Sequence, residues 1–178
     1  MTLNRVQLLL AVLFAIFTLT APFVLPIILD DFWVSIYTEI LIWSLFASSV
    51  NLLFGYVGLL SFGQALYFGF GMYGVAIGIT KLGLGFWGAF GLGLLAPTLM
   101  AAIAGVLAVR LTWHYFAIIT VVFSLIFYVL AMTWKPLTGG DDGLVFSMPP
   151  IIEIGDWSLS LSDPLTQYMF IVVCFAIA

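Results

Sequence analysis

The chain has 178 residues, of which 65 % are hydrophobic and 7 % charged, with a formal net charge of −4 and a mean hydropathy of +1.29. Soluble domains carry about 25 % charged residues, so this composition describes an integral membrane protein and excludes a basic nucleic-acid binder. One cysteine, Cys174, lies in an apolar run, which excludes an intrachain disulfide framework.

After Arg5 the first expected span runs from Val6 to Leu29, long enough for the about 20 apolar residues that a crossing needs. A cleaved signal peptide, with Thr18 to Ala21 as its small-residue site, is the competing reading. Its apolar core would be long, and Pro22 sits poorly beside such a site. Pro22 and Pro26 should kink or end the helix near its far side. Asp30 and Asp31 mark the exit, and Phe32, Trp33 and Tyr37 form an aromatic belt. The second span is expected over Phe32 to Phe54. Glu39 lies roughly two turns inside it, where a carboxylate is costly to expose to lipid. It is either a polar group on a path or a hydrogen-bonded acid reaching back to the interface.

The next stretch, Asn51 to Gly74, carries six glycines: Gly55, Gly58, Gly63, Gly69, Gly71 and Gly74. Each costs about 1 kcal/mol of helix propensity against alanine, so their density calls for close backbone approach or a departure from helical geometry. A break is expected around Gly55 to Ser61, followed by a helix from Phe62 to about Thr80. Irregular backbone at membrane depth is tolerated only where protein or a water-filled path satisfies it, and transporters place substrates at such breaks. Gly63, Gly71, Gly74 and Gly78 include spacings of three and four, which put small residues on one face for tight helix packing. Packing alone would explain those glycines. The polar residues Asn51, Tyr56, Ser61, Gln64 and Tyr67 keep a pathway reading beside it.

Lys81 to Gly85 reads as a short loop, and Phe86 to Val109 as a further span with Pro97 in its middle as a kink. Arg110 to His114 is a tight polar turn, and Tyr115 to Trp134 a span ended by Lys135 and Pro136. His114 is the one histidine and has no cysteine or carboxylate at ligand spacing, so an interfacial histidine is expected and no metal site. Leu137 to Pro164 is hydrophilic, and its Asp-Gly and Pro-Pro signals read as turns and short extended pieces. Asp141, Asp142 and Gly143 lack the alternating oxygen ligands of a calcium loop. From Leu165 an apolar run of about fourteen residues reaches Ala178, too few to cross a bilayer, so a continuation of the chain is expected. Basic residues divide evenly between the two sides, and the favoured orientation puts the amino terminus in the cytoplasm and the acidic loop outside. The fold expected is all-α: a polytopic transmembrane helix bundle, one transmembrane domain, with a glycine-rich broken or re-entrant segment.

Three blocks carry a resemblance. The first is Asn51-Leu52-Leu53 with Gly55-Tyr56 and Gly58, then Leu60-Ser61-Phe62-Gly63, Ala65, Gly71 and Tyr73. The second is Tyr115-Phe116-Ala117-Ile118 with Thr120 and Phe123, and the third Leu137-Thr138-Gly139-Gly140 with Asp142-Gly143-Leu144. In this order they resemble the inner-membrane permease subunits of ABC importers for branched-chain amino acids. The resemblance implies a multi-pass protein of the bacterial inner membrane, without cofactor or catalytic residues. It also implies a homologous second permease, two cytoplasmic ATPases and a periplasmic binding protein as partners. In the family the ATPase-coupling helix lies in a later half, so these residues are not expected to transport anything alone. Ser61, Gln64 and Tyr67 would be path-facing groups near the break. The family often has histidine where this chain has Gln64, and relatives with the same pattern move urea or short amides, so the motif leaves the substrate open.

An ion-driven carrier would need intramembrane ionisable groups, and Glu39 alone qualifies. A membrane-embedded enzyme would need clustered His, Asp or Glu or an activated nucleophile at membrane depth, which one isolated histidine and scattered loop acids do not supply. A purely structural membrane subunit remains compatible with the sequence.

Overall fold

The computed structural model describes residues 31–108, 113–154 and 157–177, together with Leu9, Thr18 and Thr20. The expected first span, Val6 to Leu29, and the alternative cleavage site at Thr18 to Ala21 fall outside the described residues apart from those three, as does most of the Arg110 to His114 turn. Helix α1 (Asp31–Asn51) runs into a π-helical turn (Leu52–Tyr56). There follow α2 (Gln64–Thr80), α3 (Phe86–Ala108), α4 (Trp113–Thr133), the short α5 (Lys135–Thr138) and a 3-10 turn (Gly140–Asp142). A two-stranded pairing of β1 (Ile152–Ile154) with β2 (Trp157–Leu159) precedes α6 (Pro164–Ile177).

Among the described residues, three stretches, Phe32–Tyr56, Phe86–Val106 and His114–Thr133, are long and apolar enough to cross a bilayer. Their large apolar side chains mostly point outward: Leu94, Leu95, Leu99 and Ile103 on α3 are exposed, as are Ile118, Leu125 and Ile126 on α4. So wide an apolar surface is stable only against lipid or other protein.

The contacts fall into two compact units, one of Met1–Ala47 with Leu159–Ala178, the other of Ser48–Ser158. In the first, Val34, Leu41 and Tyr168 are buried, and Tyr37, Ile171, Val172 and Phe175 pack around them. Val34, Tyr37 and Leu41 on α1 and Tyr168, Ile171, Val172 and Phe175 on α6 repeat at intervals of three and four, so each helix turns one stripe to the other. The Tyr37 and Tyr168 rings stack with centroids 6.0 Å apart, and the Tyr168 hydroxyl donates to the carbonyl of Thr18. Thr38, buried in the same face, donates to the Val34 carbonyl at 2.8 Å, so its polar group is satisfied within its own helix.

The second unit is built on α2 against α3. Gly71 lies opposite Gly93, Gly74 opposite Leu92 and Gly93, and Gly78 opposite Ala89. Rising numbers on one helix meet falling numbers on the other, so the pair is antiparallel. The backbones come close enough that a Cβ on Gly74 would stand 2.8 Å from the Leu92 carbonyl oxygen, and one on Gly78 3.2 Å from the Ala89 Cα. Inside a bilayer the hydrophobic effect does not draw helices together, so close packing of this kind has to hold them. Pro97 lies inside α3 and offers no N–H to the carbonyl of Gly93, four residues earlier. That carbonyl oxygen is 3.4 Å from where a Gly71 Cβ would be, so the group that proline leaves without its helical partner is turned to the bare backbone of α2. Further along, Leu66, Met100 and Ala104 are buried, with Tyr67, Phe70, Phe123 and Phe127 around them. The Phe70 and Phe127 rings meet edge to face at 5.0 Å, which brings α4 onto the pair.

Helix α4 is closed by the Leu137 to Gly143 block. The buried Thr138 hydroxyl lies 2.6 Å from the Ala131 carbonyl and 2.9 Å from that of Trp134, and it accepts the Gly140 N–H at 3.3 Å. Carbonyls at a helix end have no intrahelical partner, and Thr138 supplies one. The chain then turns through Gly139 (φ 81°) and Gly140 (φ 65°), with a third positive φ at Gly143 (67°). A Cβ on Gly139 would overlap the Gly143 carbonyl, and one on Gly140 would lie 2.9 Å from the Lys135 Cγ and 3.0 Å from the Met132 carbonyl oxygen. Asp141 and Asp142 are exposed. The Trp87 indole N–H donates to the Ile151 carbonyl at 3.1 Å, which ties the connection before β1 to the start of α3.

Four substitutions test this packing in the purified chain in detergent. Gly74→Val should lower the thermal midpoint, at an overpacking cost of about 1–3 kcal/mol, whereas Gly69→Ala, where no atom lies within 4 Å of the new Cβ, should leave it unchanged or slightly raised. Gly139→Ala should destabilise by at least about 2 kcal/mol through its left-handed backbone and the overlap with Gly143. Asp141→Asn should stay within about 0.5 kcal/mol of the parent, as exposed surface changes do.

Candidate functional site

The site grows from a failure of helix geometry. The expected break began at Gly55, but the helix passes that residue as a π turn over Leu52–Tyr56. The Asn51 side chain lies over Gly55, where a Cβ would meet its Oδ1 at 2.7 Å. The Leu59 N–H reaches back to the Leu53 carbonyl at 3.3 Å, and Gly58 turns the chain with φ 73°. The irregular backbone therefore lies over residues 57–63, and α2 begins at Gln64 rather than at Phe62.

Hydroxyl groups explain that offset. The Ser61 Oγ accepts the Gly63 N–H at 3.1 Å. The Phe62 N–H donates to the Thr120 Oγ1 on α4 at 3.2 Å, while the same hydroxyl donates to the Ala117 carbonyl at 2.9 Å. Ser61 and Thr120 are buried, at 8 % and 2 % exposure. Gly63 fits beneath Thr120: a Cβ there would stand 3.2 Å from the threonine Cβ. Protein groups thus satisfy the N–H groups of Phe62 and Gly63, as irregular backbone at membrane depth requires.

The residues singled out in the sequence take different places. Ser61 is engaged with the backbone two residues on. Gln64, the first residue of α2, is half-buried, and its amide forms no hydrogen bond among the described residues. Tyr67, one turn further, packs on the Leu66, Met100 and Ala104 cluster. Glu39 belongs to the other unit; it is exposed on α1, and the Trp43 indole N–H donates to its carboxylate at 3.4 Å. Ser61, Gln64 and Tyr67 therefore share one stretch of backbone at the start of α2. Among the described residues, no three His, Cys, Asp or Glu side chains come together.

Two features escaped the sequence reading. One is Thr120 as the anchor of the break. The other is a cavity of about 690 Å³ lined by α2 and α4, with Ala96 of α3 and with Trp134, Leu137 and Thr138 also in its wall. Its walls are apolar apart from a few groups such as Tyr73, Ser124 and Tyr128, and none of Ser61, Gln64, Tyr67 or Glu39 lines it. Such a wall accommodates aliphatic surface and offers no charge. No spacing in the sequence marks it, because α4 is apolar on every side.

The family described as branched-chain amino acid transport system / permease component matches residues 32–178. The chain is 31 % identical over 136 residues to the high-affinity branched-chain amino acid transport system permease protein LivM of Escherichia coli K12, an alignment covering 74 % of this chain and 31 % of the relative. The LivM protein of Salmonella typhimurium is 31 % identical over 111 residues, covering 62 % of this chain and 26 % of the relative. The chain thus spans about a third of the length of the curated relatives it matches. No solved structure matches. The match over 32–178 takes in the broken stretch, the Thr120 anchor and the Thr138 turn together, and this polytopic helical membrane chain belongs to the branched-chain amino acid transport permease family.

Proposed function

We propose that this chain acts within the permease subunit of an ATP-driven importer of branched-chain amino acids in the bacterial inner membrane. The observation that carries the reading is the family match across residues 32–178. A permease of this kind needs a path through the bilayer that can be opened to either side, and the backbone of residues 57–63 supplies a non-helical element at the head of α2. Gln64 and Tyr67 face that path in this reading. Ser61 shapes it by holding Gly63. Glu39, exposed and bonded to Trp43, is an interfacial acid rather than a coupling group, which counts against an ion-driven carrier.

The partners in this proposal are a homologous second permease, two cytoplasmic ATPases and a periplasmic binding protein. The binding protein would set selectivity, and the permease would offer alternating access with little affinity of its own. The apolar walls around α2 and α4 suit an aliphatic side chain better than urea, whose surface is entirely polar.

The test is ATP hydrolysis in liposomes by the full-length permease assembled with its genomic neighbours. Leucine or valine with the binding protein should stimulate hydrolysis, and urea should not. Gln64→Ala should lower the stimulated rate by about threefold to tenfold, the scale of one lost polar contact, with assembly unchanged. An assembled complex that answers to no amino acid overturns the reading.

A further inference from the structure

The path proposed above depends on the shape of residues 57–63, and one side chain from another helix fixes that shape. We infer that Thr120 is a positioning residue for transport: it holds the irregular segment against α4 and so sets where α2 begins. This inference rests on the proposed transport function.

The geometry calls for a side-chain hydroxyl at this position. Its Oγ1 accepts the Phe62 N–H at 3.2 Å and donates its own hydrogen to the Ala117 carbonyl at 2.9 Å. The donation orients the hydroxyl so that a lone pair is left for Phe62. The Thr120 Cβ also seals the face of Gly63, whose own Cβ would come within 3.2 Å of it. The threonine itself is 2 % exposed. Phe62 and Thr120 are 58 positions apart, and this is a direct side-chain bond between the irregular backbone and a neighbouring span. The Thr120 carbonyl in turn accepts the Ser124 hydroxyl at 3.0 Å, and Ser124 lines the cavity between α2 and α4. A movement of α4 that changes the cavity wall would therefore carry the 57–63 segment with it. Coupling of this kind passes through packed elements with more than one arrangement.

Thr120→Val keeps the shape and removes the hydroxyl; Thr120→Ser keeps the hydroxyl and removes the methyl. Both are compared in the full-length permease, assembled with its partner subunits and binding protein. Hydrogen–deuterium exchange over residues 57–66 reads the anchor directly. It should speed up about tenfold in T120V, the scale of losing one buried hydrogen bond, and stay near the parent in T120S. In the same complexes the maximal leucine-stimulated ATPase rate should fall at least threefold in T120V and recover in T120S, with the concentration of loaded binding protein for half-maximal rate within twofold of the parent. Ser61→Ala, which leaves the Phe62 bond intact, should speed exchange at Gly63 without reproducing the full rate loss, and it serves if T120V assembles poorly. Unchanged exchange in T120V overturns the inference. Faster exchange with an unchanged ATPase rate overturns it as well, since Thr120 would then hold a segment that the cycle does not use. A parent complex with no response to any amino acid overturns the transport reading instead, and the exchange data still decide whether Thr120 fixes the segment.

Discussion

The contact between the glycine face of α2 and the backbone of α3 is the constraint from which the larger unit follows. At Gly74 the two main chains approach within the space that a methyl group would occupy. Lipid tails are as apolar as leucine, so a helix pair in a bilayer gains little by merely burying leucines. It gains by bringing polar backbone edges and bare Cα atoms into dense contact. Pro97 takes part in this. By withholding its N–H from Gly93 it leaves a carbonyl whose surroundings are supplied by α2, at Gly71. A proline and a glycine that each weaken their own helix together strengthen the pair.

Once α2 is locked on α3, its amino-terminal end is fixed, and the irregular segment has somewhere to arrive. The Leu66, Met100 and Ala104 cluster lies just beyond that end and draws in Phe123 and Phe127 from α4, while Thr120, one turn earlier on α4, meets the Phe62 N–H. The same helix therefore serves the core with one part of its face and the break with the next. Its far end is closed by Thr138, whose hydroxyl serves the last carbonyls of α4 and then the N–H of Gly140. Thr120 and Thr138 thus use the same chemistry: each buried hydroxyl donates to a carbonyl of α4 and accepts an N–H from a glycine-containing piece of irregular backbone.

This explains which parts of the structure could be read from the chain alone. The spacing of Gly71, Gly74 and Gly78 is a local pattern, and it pointed to one packed face without any knowledge of the partner helix. The break expected around Gly55 to Ser61 was visible because glycine and polar residues have no reason to gather in a lipid-facing helix, although Gly55 itself lies in a π-helical turn. Its limits were not visible, because they depend on Thr120, whose distance in sequence hides the bond. The order in which Thr138, Gly139 and Gly140 occur suggested a turn, yet it did not say that Thr138 is the group that ends α4. The stripe of Tyr168, Ile171, Val172 and Phe175 was lost for another reason: in a run that is apolar throughout, helical periodicity has no contrast against which to show.

The same distinction bears on the candidate site. A motif of glycine, serine and threonine in a membrane chain can mark either groups that meet a substrate or groups that hold a backbone in an irregular course. Here Thr120 and Thr138 each donate to a carbonyl and accept an N–H at 2.6 to 3.3 Å, the Ser61 Oγ accepts the Gly63 N–H at 3.1 Å, and all three are buried. A committed, buried hydroxyl can set the shape of a path, but it has little left to offer a passing solute. Gln64 is the contrasting case: it is half-buried, at the start of α2, with its amide uncommitted among the described residues. The small hydroxyl residues therefore hold the backbone, and in the function proposed above the side chains that follow them, Gln64 first, are the ones that would meet the solute.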